Sequence, residues 1–442
     1  MVKVITYGTY DLLHYGHIKL LERAKALGDY LIVGVTADGY DKTRGKINVQ
    51  QSLMARIEGV RRTGLADEII VEEYQGQKID DILRMKVDIF TVGSDWTGKF
   101  DYLNEYCKVV YLDRTQGVSS SEIRSHKHEI RLGLVGDNPV LEKFVRECAY
   151  VDGIKIVGMY VPNSEFQIAG VERYPHFRDL LSECDALYVI SHPSLHYTHI
   201  KEALLHDKHV LYESPLSMNV SEAIELIELA KERRLALYAG IKTAYSTAYS
   251  RLILLVKSGA IGDIVSIDAT CTSLRSSPSD YSNTLSKGWS SIAAWGPTSM
   301  LPVFQLLGTE YTQAQIITKL ACESTTFDLF TQINFIYPHS VATVRMGKGV
   351  KSEGELVIGG TKGYIYVPAP WWKLDYFECR YENPNDNKRY FYQLDGEGIR
   401  YEIVSFVKAI TDKSVHYVSR DVSIAIVRTM ENFIQKKNII NI

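Results

Sequence analysis

Tyr7-Gly8-Thr9-Tyr10-Asp11-Leu12-Leu13-His14-Tyr15-Gly16-His17 joins an apolar run, Val2–Thr6, to a segment with apolar residues at helical spacing, Ile18–Leu27. The order is strand, tight turn, helix. Gly8 permits an abrupt exit from the strand, and Gly16 lets backbone approach a ligand closely. At a helix start the free amides and the helix dipole favour an anion. His14 and His17 lie three residues apart there, so both rings can face one point. Two imidazoles beside an anion hole suit the stabilisation of charge on a transferring phosphoryl group. Two surface histidines beside a turn are the plainer alternative, and the complete string weighs against it.

The alternation continues outward from this stretch. Strands are predicted over 31–35, 68–71, 89–92 and 109–112, with helices over 53–63 and 79–85. That order implies a doubly wound parallel sheet that binds ligands at the carboxyl ends of its strands. Ile130 opens a second series, with strands over 130–135, 154–160, 186–190, 209–212 and 236–239. From about Asp263 β-branched and aromatic runs dominate, predicting a mostly antiparallel sheet closed by helices over 401–410 and 422–435. The expected fold is α/β throughout, with domains over 1–125, 129–245 and 246–442.

Composition fits this plan. A chain of 442 residues is about three times a typical domain. With 45% hydrophobic and 23% charged residues it reads as an ordinary folded chain. Its 50 basic and 53 acidic residues leave a net charge of -3, so no broad field favours nucleic acid or an anionic membrane. No apolar run reaches the ~18–20 residues that span a bilayer. The strand-like start at Val2 leaves no room for a signal peptide, so a cytoplasmic location without membrane insertion is expected. Six cysteines lie far apart with no Cys-x-x-Cys pair, which argues against a disulfide framework and a structural zinc site.

Residues 1–124 resemble the HxGH nucleotidyltransferases, and among them the glycerol-3-phosphate cytidylyltransferases. The resemblance rests on Thr6 through His17, Gly28-Asp29-Tyr30, Gly93-Ser94-Asp95-Trp96-Thr97-Gly98-Lys99-Phe100-Asp101 and Arg114-Thr115-Gln116-Gly117-Val118-Ser119-Ser120. The last string also reads from its residues. It follows a strand, Ser119 and Ser120 can cap a short helix whose amides offer a second anion site, and Arg114 is a permanent planar cation.

The resemblance implies a Rossmann-like fold and in-line attack by an acceptor phosphate oxygen on the α-phosphate of CTP, releasing pyrophosphate. The acceptor would be a small polyol phosphate, and the CDP-polyol would feed a teichoic-acid-like or capsular polymer. His14 and His17 would stabilise the phosphates, Lys46 and Arg114 would hold the triphosphate, and Mg²⁺ would bridge its oxygens. Gly8, Thr9, Tyr10, Asp11, Gly16, Asp95, Thr115, Gly117, Ser119 and Ser120 would line the nucleotide site, and Trp96 would help shape it. Lys42, Arg44 and Lys46 crowd one loop, so any of them can serve, or the run can be a solvated face. One departure concerns the acceptor end. The family tends to carry an arginine three residues before Asp67, and this chain has Gly64 there with Arg61 and Arg62 upstream. Glycerol 2-phosphate therefore stands beside glycerol 3-phosphate as acceptor.

Residues from about Glu129 onward resemble the Gfo/Idh/MocA oxidoreductases, on Asp185–Pro193 with His196, Lys208–Leu216, Ser258–Gly262 and Gly359–Gly363. This implies a second Rossmann-like domain and an α+β open-sheet domain, a sheet that relatives use for subunit pairing, and hence a homo-oligomer. The chemistry departs from the family. Where Gly-x-Gly-x-x-Gly belongs, the chain has Gly136-Asp137-Asn138-Pro139-Val140-Leu141. A side chain and a carboxylate then meet the pyrophosphate, and strain at Asn138 is expected to cost ~1–2 kcal/mol. Val161 stands near the ribose-binding acid's position, Ser214 replaces the lysine of Glu-Lys-Pro, and Thr298 and Leu301 replace the proton-relay histidine and its carboxylate. These losses argue against NAD(P) binding and for a degenerate oxidoreductase. A bifunctional transferase–reductase is the first alternative, and a binding module for a downstream transferase or glycan is the second. His192, His196 and His199 are weighed as a metal cluster and set aside as pocket residues, and His126 and His128 as exposed. Trp371 and Trp372 suit a covered sheet face or an interface better than a pocket.

Overall fold

Alternate residues of β1 (Lys3–Gly8) and β2 (Tyr30–Thr36) feed two cores. Val4, Leu31, Val33 and Val35 pack with Leu21, Ala24, Ile57 and Val60. Ile5, Tyr7 and Ile32 pack with Ile82, Phe90 and Val92. Strands buried on both faces belong to a parallel sheet with helices on each side. Here α1 (Tyr15–Lys25) and α2 (Leu53–Arg62) cover one face, and α3 (Gln77–Met85) covers the other. With β3 (Glu68–Glu72), β4 (Ile89–Gly93) and β5 (Lys108–Leu112) the order is β3-β2-β1-β4-β5, all parallel. The strand order reverses between β1 and β4, and that switch point opens a crevice at the carboxyl edge.

The computed structural model describes residues 1–13, 15–37, 49, 51–74, 76–113, 129–162, 165–274, 289–322, 326–392, 394, 396–411 and 417–442. The chain divides into two compact units, Met1–Glu129 and Ile130–Ile442. In the second, β6 (Ile130–Val135), β7 (Ile154–Tyr160), β8 (Ala186–Val189), β9 (His209–Glu213) and β10 (Leu237–Gly240) form a parallel sheet of order β10-β9-β8-β6-β7. Helix α4 (Val140–Cys148) follows β6. The remaining strands make a nine-stranded sheet that centres on β11 (Ile264–Thr272), with Val341–Gly347 on one side and Leu356–Gly360 on the other. This sheet is mixed: Ile264–Thr272 pairs parallel with Val341–Gly347, and Gln313–Leu320 pairs parallel with Ile439–Asn441, while the other pairs are antiparallel. Among the described residues no helix is long and apolar enough to cross a membrane.

Two expectations need correction, and one helix went unpredicted. The first helix begins at Tyr15 rather than near Ile18, because two left-handed residues, Tyr10 (φ 52°) and Leu12 (φ 47°), reverse the chain earlier than the sequence pattern indicates. A sixteen-residue helix, Ser291–Leu306, spans the segment expected to hold the proton relay; its internal Pro297 and Pro302 hide it from a propensity reading. Asn138 is not strained. The left-handed turn is taken by Gly136 (φ 131°), while Asn138 precedes a proline and its side-chain oxygen accepts from the Val140 amide at 3.0 Å.

Candidate active site

The loop leaving β1 is held by buried polar groups. Thr9, Tyr10 and Asp11 are all buried. Asp11 accepts from the Gln51 amide at 2.9 Å, and the Gln51 side chain accepts from the Leu12 amide at 2.8 Å. Arg56 of α2 is fully buried and donates to the carbonyls of Thr9 (2.7 Å), Thr36 (2.8 Å) and Gln51 (3.2 Å). One guanidinium thus ties together the exit of β1, the end of β2 and the start of α2. Gly8 has a different use from the one expected. A Cβ there would stand 3.0 Å from the Tyr10 ring, so Gly8 makes room for that ring, and Tyr10 and Leu12 take the left-handed turn. The Tyr10 ring meets the His17 ring edge-on at 5.5 Å. Gly16 and His17 sit in the first turn of α1, which follows the carboxyl end of β1.

On the other side of the crevice, β4 runs into the short turn Ser94–Trp96, which carries Asp95. The Trp96 and Phe100 rings lie 5.8 Å apart. Tyr111 of β5 donates to Asp101 at 2.7 Å and accepts from the Phe100 amide at 3.1 Å, which folds this stretch back onto the sheet. The described part of the site therefore brings Gly8, Thr9, Tyr10, Asp11, Gly16, His17 and Asp95 to the switch point between β1 and β4. His14, Lys46 with Lys42 and Arg44, and Arg114, Thr115, Gly117, Ser119 and Ser120 lie outside the described residues, as do His126 and His128.

In the second unit the altered cofactor positions are packed as core. Leu141 in the first turn of α4 is fully buried, and Val161 beyond β7 is buried. A Cβ on Gly136 would meet the Ile190 backbone at 2.6 Å. Ser214 is buried, Thr298 is half-buried within the Ser291–Leu306 helix, and Leu301 is fully buried. His196 has Nδ1 2.7 Å from the Pro215 carbonyl and Nε2 2.7 Å from that of Ser191, and burial lowers its pKa to about 4. His199 Nδ1 lies 2.9 Å from the Ser191 hydroxyl, and His192 Nδ1 lies 2.9 Å from that of Ser194. Among the described residues no group of three or more His, Cys, Asp and Glu side chains is placed to hold a metal. Trp371 is fully buried with its ring N–H donating to the Thr270 carbonyl at 3.1 Å, and Trp372 packs on Trp295 at 4.9 Å.

Comparison with known proteins decides the first unit. Residues 5–126 match the cytidylyltransferase-like family model. The chain is 51% identical over 124 residues to a glycerol-3-phosphate cytidylyltransferase of Bacillus spizizenii, a match covering 28% of this chain and 95% of that protein. Through this unit the chain belongs to the cytidylyltransferase-like family. A glycerol-3-phosphate cytidylyltransferase of Staphylococcus aureus is 46% identical over 128 residues, 28% of this chain and 93% of that protein. The chain is a nucleotidyltransferase by this relationship. Residues 130–241 match the NAD-binding Rossmann fold of an oxidoreductase family, Gfo/Idh/MocA. A 3-ketoreductase from Actinomadura kijaniata, solved in complex with NADP and TDP-benzene, superposes with a TM-score of 0.62 at 16% identity, covering 71% of this chain and all (100%) of that one. UDP-N-acetylglucosamine 3-dehydrogenase from Acidithiobacillus ferrooxidans gives 0.56 at 17%, over 68% and 95%. At such identities the likeness is one of fold.

The cytidylyltransferase-like unit also holds polar residues that the sequence reading missed. Lys78 of α3 is buried and ion-paired with Glu72 at the end of β3, which accepts from the Thr36 hydroxyl at 2.9 Å. Its ammonium lies 4.6 Å from the centre of the Tyr7 ring, and the Tyr7 hydroxyl donates to Asp81 at 2.9 Å. Burial, then the charge of Asp81, pushes the Tyr7 phenol far above its ordinary range. This network lines the carboxyl ends of β1, β2 and β3. Arg61 and Arg62, near the departure at Gly64, are exposed and pair with Glu58 at 2.7 and 3.1 Å, and Gly64 itself makes a left-handed turn (φ 68°). The signal was in the periodicity: Arg56 falls on the stripe Leu53, Ile57 and Val60 of α2, and Lys78 lies four residues before the buried Ile82 of α3.

Proposed function

We propose that the N-terminal unit joins CTP and a small polyol phosphate, glycerol phosphate in the first place, to give a CDP-polyol and pyrophosphate. The observation that carries this reading is the clasped loop Thr9–Asp11 with His17 in the first helical turn, set against Asp95 across the switch point. A phosphate oxygen of the acceptor attacks the α-phosphorus, pyrophosphate leaves, and no covalent enzyme intermediate is needed. The enzyme's part is alignment and charge stabilisation. His14 and His17 donate to phosphate oxygens as charge develops. Lys46 and Arg114 hold the triphosphate, and Gly8, Thr9, Tyr10, Asp11, Gly16, Asp95, Thr115, Gly117, Ser119 and Ser120 line the nucleotide. Lys78, paired with Glu72 behind the carboxyl edge, holds the strand ends that carry the site. Mg²⁺ would come with CTP and would supply charge neutralisation to the triphosphate. The product is an activated polyol for a cell-surface polymer.

The C-terminal unit is read as a degenerate oxidoreductase that serves assembly, giving a homo-oligomer through its nine-stranded sheet. The residues at the expected cofactor positions do not fit NAD(P). Leu141 fills the space meant for close helix–strand packing, Val161 offers no carboxylate to the ribose, and Ser214, Thr298 and Leu301 offer no proton relay at neutral pH. Calorimetric titration of the full chain with NADPH and with NADH should therefore give no binding in the micromolar range. Micromolar affinity with hydride transfer to a keto polyol would establish the bifunctional reading instead. Pyrophosphate release with glycerol 3-phosphate and glycerol 2-phosphate, compared side by side, tests the acceptor.

A further inference from the structure

Three lysines from distant parts of the second unit converge on one carboxylate. Lys143 of α4 lies 3.1 and 3.2 Å from the two oxygens of Glu397. Lys373, in the short turn Trp371–Lys373, lies 2.8 Å from Oε1, and Lys242, which opens the turn Lys242–Tyr245, lies 3.3 Å from Oε2. Glu397 sits in a run of three left-handed residues, Gly396 (φ 57°), Glu397 (φ 54°) and Gly398 (φ 91°). The turn is pressed into place. A Cβ on Gly396 would lie 2.1 Å from a Glu147 oxygen, and one on Gly398 would lie 3.2 Å from the Lys242 carbonyl.

Ion pairing is set against backbone strain in this arrangement. Partly exposed ion pairs contribute about 0–1 kcal/mol each, while a non-glycine residue in the left-handed region costs about 1–3 kcal/mol. Three ammoniums facing one carboxylate also leave an excess of positive charge. The three ammoniums share the two oxygens of one carboxylate, and Lys143 straddles both. Phosphate oxygens can take one ammonium each, and lysine is a common phosphate partner. Behind Lys242 lie two more carboxyls. Burial pushes Glu213 up to about 7, against a 2.8 Å hydrogen bond from Tyr188 and the charge of Lys242. Burial, then the charge of Glu213, pushes Glu402 well above the usual range. Lys242 thus faces these inner carboxyls as well as Glu397, and its own burial works against its charge. Partial burial works against the ionised form of Glu397, yet hydrogen bonds from Lys373 and Lys143 and the charge of Lys242 hold its pKa down to about 2, so it meets the lysines as an anion.

We propose that Lys143, Lys242 and Lys373 form a binding site for a phosphate group, closed in this structure by Glu397 as an internal competitor. The ligand class is a phosphomonoester or a diphosphate, and its binding moves the Gly396–Gly398 turn away from the lysines. The test is calorimetric titration of inorganic phosphate, and separately of pyrophosphate, into the full-length wild type, Glu397→Gln and Glu397→Gln/Lys373→Met. Any binding at the N-terminal unit is common to all three and cancels in the comparison. Glu397→Gln should bind about tenfold tighter than wild type, and the double variant should lose that gain. A gain with phosphate identifies a phosphomonoester site, and a gain with pyrophosphate alone identifies a diphosphate site. Glu397→Asp keeps the charge but withdraws it by one methylene, and should show a smaller gain of the same sign. Equal affinity of the folded variants and wild type for both anions would overturn the proposal, as would a gain that survives Lys373→Met. Failure of both Glu397 variants to fold even in high phosphate would overturn it too, because phosphate should refill the site.

Discussion

Replacing His17 by alanine should lower turnover with CTP and glycerol phosphate by about 10²-fold or more while leaving the fold intact. The magnitude follows from the loss of one donor aimed at charge that develops in the transition state. The fold should survive because His17 lies half-buried in the first turn of α1, where the helix is held by Leu21 and Ala24 rather than by the imidazole. Its ring meets the Tyr10 ring at 5.5 Å, so some local loosening of the loop is expected without unfolding. Steady-state kinetics beside thermal unfolding separate the two effects. Turnover close to that of wild type would show that the helix amides alone stabilise the phosphates.

Arg56→Ala should have the second large effect, and by a different route. The guanidinium is fully buried and satisfies the carbonyls of Thr9 and Thr36 at 2.7 and 2.8 Å. Removing it leaves two buried acceptors without those donors, each at about 1–3 kcal/mol, so a loss of about 2–6 kcal/mol is expected. The same loss frees the loop that carries Tyr10 and Asp11, so KM for CTP should rise even where the protein remains folded. Arg56→Lys, which reaches one carbonyl but not the full set, should fall between the two. Urea unfolding and CTP kinetics on the same preparations check both parts. A stability within experimental error of wild type would show that the loop is held without Arg56.

The architecture was largely legible because strands buried on both faces are continuous apolar runs. Ile130–Val135 and Ile154–Tyr160 fall where the runs predicted them. The helix Ser291–Leu306 escaped because Pro297 and Pro302 are read as breakers, while burial against the sheet holds the helix together despite them. The HxGH string pointed to phosphate chemistry, but not to the backbone that presents it. Tyr10 and Leu12 carry the left-handed turns, and no local rule assigns such a conformation to a tyrosine and a leucine when glycines stand nearby. The partners of Arg56 and Lys78 were illegible for a related reason. Arg56 and Lys78 share the buried stripes of α2 and α3, which periodicity could flag, but the strand ends that give them partners are remote in sequence. At Asn138 the rule for a dinucleotide turn predicted strain that the following proline removes by favouring extended backbone.

Cytidylyl transfer is proposed to run at the switch point of the first sheet without nicotinamide. The most direct measurement is kcat/KM for pyrophosphate release with CTP and with ATP, using glycerol 3-phosphate as acceptor and Mg²⁺, with and without added NADPH. The account predicts that CTP is preferred and that NADPH leaves the rate unchanged. Release with ATP at equal or better efficiency and none with CTP, or a reaction that requires the nicotinamide, would contradict it.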